Sequence, residues 1–217
     1  MLAKSINSVS LRRFATAAAA VKKDTFQAKD IETHITSRKK EKPSIEGQFG
    51  FGNVYSDHML SIDWNDQKGW GKPQIIPHGP ISIATSATSL HYGISCYEAL
   101  SVVKNKQTNK LQGFRVDEHL DSLIKSSQHL DMPVFDPEEL KACLKPLYKL
   151  DREWVDWLGE PDQFYTRLMH FSTSATLGVR SPTDTKLVAV LNPIKVKSNE
   201  LSLKCSSQAK NWPLGHG

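Results

Sequence analysis

The alternation of apolar and polar positions divides this chain of 217 residues into short strands and amphipathic helices. His58-Met59-Leu60-Ser61-Ile62-Asp63-Trp64 alternates enough to predict a half-buried strand, and Trp70-Gly71-Lys72-Pro73 predicts a turn after it. Ser101 to Lys104 and Leu111 to Phe114 flank the polar stretch Asn105 to Lys110, the arrangement of a β-hairpin with a longer loop. Asp117 is placed to cap a helix in which Leu120, Leu123, Ile124 and Leu130 approximate one apolar face. In Asp136-Pro137-Glu138-Glu139 an Asp cap, a proline at the first helical position and an acid three residues on agree about the start of a second helix. A proline inside a helix removes a hydrogen bond and clashes with the preceding turn at roughly 3 kcal/mol, so Pro146 is expected to redirect the chain over residues 147–157. Gln163 to Phe171 and Lys186 to Leu191 predict further strands. Strands mixed with helices make the fold class α/β (α+β).

Ahead of these elements the pattern fails. Thr25 to Gln48 is polar, with Arg38-Lys39-Lys40 and Pro43, and reads as a linker that need not fold. The first two dozen residues hold Lys4, Arg12, Arg13, Lys22 and Lys23, abundant Ser and Ala, and no acid before Asp24. That is transit-peptide composition, with Leu2, Ile6, Val9 and Phe14 on an apolar side, and it predicts a mitochondrial matrix protein. A secretory signal fits worse, because its candidate apolar core, Ala15 to Val21, is mostly alanine.

Charge changes the picture only by where it sits. The net charge is +5, yet residues 1–42 alone carry +6 and the remainder −1, so no basic surface for nucleic acid is expected. No apolar run reaches the roughly 18–20 residues of a membrane helix. Cys96, Cys143 and Cys205 are odd in number and far apart, the pattern of reduced thiols, and the eight histidines lack metal-ligand spacing. Phosphate-loop, dinucleotide, zincin and nucleophile-elbow motifs are absent, so these residues taken alone name no chemistry.

Spaced segments carry the reading further. Phe51-Gly52-Asn53-Val54-Tyr55-Ser56-Asp57-His58-Met59-Leu60 is followed by Asp63-Trp64-Asn65-Asp66, Gly69-Trp70-Gly71-Lys72-Pro73, Ser89-Leu90-His91-Tyr92 and Cys96-Tyr97-Glu98. Met132 to Asp136, Leu150 to Val155, Tyr165-Thr166-Arg167 and Leu177-Gly178-Val179 then fall in order. Together they resemble the N-terminal half of a mitochondrial-type branched-chain amino-acid aminotransferase, over about 150 residues. The resemblance implies a fold-type IV pyridoxal 5'-phosphate enzyme, a homodimer that moves an amino group between leucine, isoleucine or valine and 2-oxoglutarate. Branched-chain amino acids and 2-oxo acids are the partners it implies, with neither nucleic acid nor membrane. Tyr92, Tyr97, Tyr165 and Arg167 match the family's substrate pocket, and Leu177 and Val179 match a loop reaching the neighbouring subunit's site. A guanidinium can pair bidentately with a carboxylate, so Arg167 suits the distal acid of glutamate while aromatic walls suit an aliphatic side chain. Read from residue types alone, the three tyrosines are equally amphipathic core residues and Arg167 a surface strand charge.

The departures from the family pattern are as informative. Ser122, in Asp121-Ser122-Leu123, stands where the family has an arginine for the cofactor phosphate; Tyr97 replaces a phenylalanine, Ala99 a glycine and Leu168 a proline. Lys210 to Gly217 is similar to the segment preceding the Schiff-base lysine, which the family places about three residues further on, so no catalytic residue is assigned. The expected organisation is a transit peptide at 1–24, a linker at 25–48, an aminotransferase small domain at 49–180, and at 181–217 an interdomain segment with the first strands of a truncated cofactor domain. On that division the strand at Lys186 to Leu191 should lack sheet neighbours and expose Val188, Val190 and Leu191. The expected function is that of a family member inactive as written, the alternative being a non-catalytic remnant or a partner subunit of a full-length aminotransferase.

Overall fold

A computed structural model describes residues 24–44, 52–105, 107–158 and 163–194. The expected import segment apart from Asp24, Cys205 and the run Lys210 to Gly217 lie outside the described residues. The strands are β1 (Glu32–Thr33), β2 (His58–Asn65), β3 (Gly69–Trp70), β4 (Gln74–Pro77), β5 (Ser95–Lys104), β6 (Leu111–Gly113), β7 (Gln163–Ser172) and β8 (Asp184–Ile194). The helices are α1 (Thr88–Tyr92), α2 (Val116–His129), α3 (Pro137–Leu150) and α4 (Arg152–Leu158). One mixed sheet has the order β1-β4-β2-β8-β7-β5-β6, with β3 paired to β2; the β1–β4 pair is parallel and the others are antiparallel.

The α/β class and the predicted strands hold. β2 is more buried than its alternation suggests, with its first five residues buried, because it pairs with β4 on one side and β8 on the other and both its faces are covered. Leu60 and Ile62 join the main core, whereas Met59 joins Phe171 and Val188 in a smaller cluster. β5 and β6 form the expected hairpin, with Val102 opposite Gly113. The turn near β3 falls at residues 66–68 and not at 70–73: Trp70 instead pairs with Trp64 and donates its indole N–H to the Val134 carbonyl at 3.0 Å.

Helix boundaries follow local chemistry in one case and tertiary packing in another. Asp136 caps α3 as expected, its carboxylate accepting from the Glu138 amide at 2.9 Å with Pro137 in the first turn. Asp117 does not cap α2. Arg115 holds that position at φ 47°, and Asp117 lies in the first turn, paired to Lys141 at 2.6 Å. Nor does Pro146 end α3, which continues to Leu150. Burial of Leu140, Cys143 and Leu144 before the proline and Leu147 after it offsets the lost hydrogen bond, and the chain turns at Asp151.

Two stretches pack more closely than their sequence predicts. The stretch 25–44 is no loose linker: Phe26 is 2% exposed, with its ring 5.2 Å from Trp70 and 5.8 Å from Phe135. Glu139 takes the Ala28 amide at 2.7 Å, β1 pairs with β4, and the Lys40 amide reaches Asp57 at 2.7 Å. Polar composition hid a strap whose backbone groups are satisfied by the body of the fold. The strand at 184–194 likewise belongs to this sheet. β8 lies between β2 and β7, which buries Val188 and Leu191 and leaves Val190 half-buried, so the expected bare edge is absent there.

Candidate functional site

Period-two alternation along β5 and β7 gives the sheet two chemically different faces. Leu100, Val102, Phe164 and Leu168 turn toward α2, α3 and α4 and form the main core. Tyr97, Ala99, Tyr165, Arg167 and Met169 lie on the other face, where Ala99 is directly opposite Arg167 and Val190 flanks it on β8. A small residue at 99 leaves room for the guanidinium to lie across the neighbouring ring. The Arg167 Cζ is 3.9 Å from the Tyr97 ring centroid and 5.6 Å from that of Tyr165. Among the described residues no carboxylate pairs with Arg167. Tyr97 is 63% exposed, so this cation–aromatic cluster faces outward.

A second group of expected residues gathers at the end of the sheet where β5 begins. Gly93 ends α1 at φ 66°, a conformation that suits glycine, and the Tyr92 hydroxyl donates to the Leu177 carbonyl at 2.5 Å. The loop after β7 is tied to α1 by the Thr88 amide on the Ser174 carbonyl at 3.1 Å and by the Thr88 hydroxyl on Ser172 at 2.7 Å. Leu177 and Val179 project from that loop, 61% and 87% exposed. The structure therefore joins Tyr97, Tyr165 and Arg167 in one cluster and Tyr92 to the Leu177 loop in another, and both present apolar surface outward.

Ser122 sits elsewhere. Its partner Glu98 points to the helix side of β5, opposite to Tyr97, and also meets the His119 Nδ1 at 3.0 Å and the Ala99 amide at 3.3 Å. Burial pushes the Glu98 carboxyl up, but hydrogen bonds from Ser122, His119 and the Ala99 amide outweigh it and hold the group below the usual carboxylate range. A phosphate against Ser122 would meet a carboxylate in place of a guanidinium, so the residues here do not fit the phosphate end of pyridoxal 5'-phosphate. No cluster of three His, Cys, Asp or Glu positioned for a metal occurs among the described residues, and no helix there is long and apolar enough to cross a membrane. Cys96 and Cys143 are free thiols; burial raises the pKa of both, that of Cys143 to about 12.

Fold and cluster together define an α/β layer with helices on one face and an open cationic-aromatic surface on the other. By sequence the chain is a homologue of the branched-chain-amino-acid aminotransferases, matching an N-terminal region of them. It is 34% identical over 171 residues to the cytosolic enzyme of Mus musculus, a match covering 79% of this chain and 44% of that one. It is 40% identical over 167 residues to a probable branched-chain-amino-acid aminotransferase of Staphylococcus aureus (77% and 45%), and 30% identical over 169 residues to the mitochondrial enzyme of Rattus norvegicus (78% and 42%). The chain thus spans about half the length of the curated relatives it matches, and no protein-family model matches it. Among solved structures it is similar to the Escherichia coli branched-chain amino acid aminotransferase, with TM-score 0.45 and 18% identity over 61% of this chain and 39% of that one. The branched-chain aminotransferase of Thermoproteus uzoniensis, solved with norvaline, gives TM-score 0.44 and 18% identity over 60% and 40%.

Proposed function

We propose that this region supplies the substrate-selecting wall of a branched-chain aminotransferase, in a protein that transfers an amino group between leucine, isoleucine or valine and 2-oxoglutarate. The observation that carries the reading is the Arg167 guanidinium, unpaired by any described carboxylate and stacked 3.9 Å over Tyr97 on the open face. Arg167 binds the distal carboxylate of glutamate or 2-oxoglutarate, and Tyr92, Tyr97 and Tyr165 accept the aliphatic side chain of the other substrate. Leu177 and Val179 are well exposed for contact across a homodimer, and matrix import follows from the basic, acid-free start of the chain. Curated relatives at similar identity include both cytosolic and mitochondrial enzymes, so import rests on that N-terminal composition.

A second reading, a non-catalytic partner subunit of an aminotransferase, is favoured by the Ser122–Glu98 pairing at the position where the family places its phosphate-binding arginine. One set of assays separates the two. Leucine-dependent glutamate formation with pyridoxal 5'-phosphate supports the first reading. Saturable 2-oxoglutarate binding without turnover, lost on Arg167→Met, supports the second, and 2-oxoglutarate binding indifferent to Arg167→Met would sink both. A reporter fused to residues 1–24 should enter mitochondria; diffuse cytosolic fluorescence would remove the import assignment.

A further inference from the structure

On the helix side of the sheet, away from Arg167, a cavity of about 590 Å³ lies between the β5–β6 hairpin and helices α2 and α3. Its floor is Leu100, Val102 and Leu144, and its walls include Leu111, Val116 and Tyr148. This interior carries no stray polar group: the Tyr148 hydroxyl is 2.6 Å from that of Thr166, and burial pushes the phenol well above its usual range, so it stays neutral.

The rim has the opposite character. Five cationic side chains stand there against Asp117 and Glu118. Both acids are already taken, Asp117 by Lys141 at 2.6 Å and Glu118 by Arg115 at 3.2 Å. Arg152 is held by the Asn109 carbonyl at 2.9 Å and by Asp156 at 3.5 Å. Lys145 and Lys149 remain, one turn apart on α3, both exposed and without a carboxylate partner among the described residues.

A largely apolar trough with two ammonium groups at its lip, unpaired among the described residues, is complementary to one class of ligand. A cation would be repelled, a short dianion would leave the apolar floor unused, and a neutral chain would leave the lysines unengaged. We propose that this groove binds a medium-chain aliphatic carboxylate, the tail lying over Leu100, Val102 and Leu144 and the headgroup on Lys145 and Lys149. The site is separate from the Arg167 cluster, and its test needs no transaminase readout.

The probe series is octanoate, decanoate and dodecanoate, each below its micelle concentration, titrated calorimetrically into the 217-residue chain. Saturable binding is expected, tightening about three- to fourfold per added methylene. Lys145→Glu with Lys149→Glu should weaken decanoate at least tenfold while leaving the melting curve unchanged, since both side chains are exposed. Should that double variant fold poorly, Lys145→Gln with Lys149→Gln serves the same purpose, and decyltrimethylammonium supplies the charge control on the unmodified chain. Absence of saturable heat, affinity independent of chain length, equal binding of decyltrimethylammonium, or decanoate affinity retained by the lysine variants would each overturn the assignment.

Discussion

Replacing Asp151 with alanine should be among the most damaging single changes in this chain, and the structure supplies the magnitude. Asp151 is 1% exposed at the junction of α3 and α4; its carboxylate takes the His58 amide at 2.8 Å and the His58 Nδ1 at 2.6 Å. The His58 Nε2 is engaged by the Thr36 amide at 3.0 Å, so it acts as the acceptor and Nδ1 carries the proton given to Asp151. Alanine would strand two buried donors at about 1–3 kcal/mol each, and would unlock the imidazole that holds the N-terminal strap. The two lost hydrogen bonds together cost about 2–6 kcal/mol, which lowers Tm by roughly 4–24 °C in a domain of this size.

Asparagine at this position would preserve the shape but offer one acceptor to two donors, so Asp151→Asn should cost less, about 1–3 kcal/mol. Urea denaturation measures both variants, and amide hydrogen exchange at Thr36, which should accelerate in Asp151→Ala, reports the strap separately. A cost below about 1 kcal/mol for Asp151→Ala, with Thr36 exchange unchanged, would falsify the view that this carboxylate organises the junction.

Burial holds the pKa of His170 down at about 4, so the folded protein keeps the ring neutral where an unfolded chain would protonate it near pH 6.5; stability is complete above that pH and falls by about 3 kcal/mol as pH drops from 6.5 to 4. In urea titrations at pH 7, 5.5 and 4.5 the difference between the parent and His170→Gln should narrow as pH falls, and a difference constant with pH contradicts the assignment. Phe26→Ala should cost about 3–5 kcal/mol and change the fluorescence of Trp70, whereas a cost under about 1 kcal/mol would mean that the strap is not part of the core.

How much of this was legible depended on whether the deciding physics was local. The start of α3 is written in Asp136, Pro137 and Glu138, where the Asp136 carboxylate accepts from the Glu138 amide and Pro137 sits in the first turn. β7 was legible because Phe164, Thr166 and Leu168 alternate with Tyr165, Arg167 and Met169. The strap was missed because one buried ring, Phe26, anchors an otherwise polar stretch, and a period cannot be read from a single apolar residue. The central place of β8 was missed for a different reason: nothing in Lys186 to Leu191 says that its neighbours are β2, more than a hundred residues earlier, and β7. At the site, Tyr97, Tyr165 and Arg167 were named, but that Glu98 turns away from them to meet Ser122 and His119 depends on how α2 packs on β5. Lys145 and Lys149 went unremarked because exposed lysines carry no signal until the hydrophobic trough beside them is known.

The position of Arg167 is guarded by residues on the opposite face of its strand. On β7, Phe164 and Leu168 are wholly buried, the Thr166 hydroxyl meets Tyr148 at 2.6 Å, and His170 lies between Ser127 at 2.9 Å and Thr185 at 3.0 Å. The Ser127 hydroxyl donates to the Leu123 carbonyl at 2.8 Å, so it accepts from His170 Nδ1 and leaves Nε2 to accept from Thr185. A slip of one residue in β7 would drive Arg167 into the apolar core, expose Leu168 and break each of these bonds. Neighbours on both sides, β5 and β8, fix the same register independently, with Arg167 opposite Ala99 on one and Val190 on the other. The inward half of the strand therefore supplies the energy that holds the outward half in place. For that reason a substitution at Thr166 or Leu168 should disturb the proposed anion binding through the register, while Arg167→Met should abolish it with the fold intact.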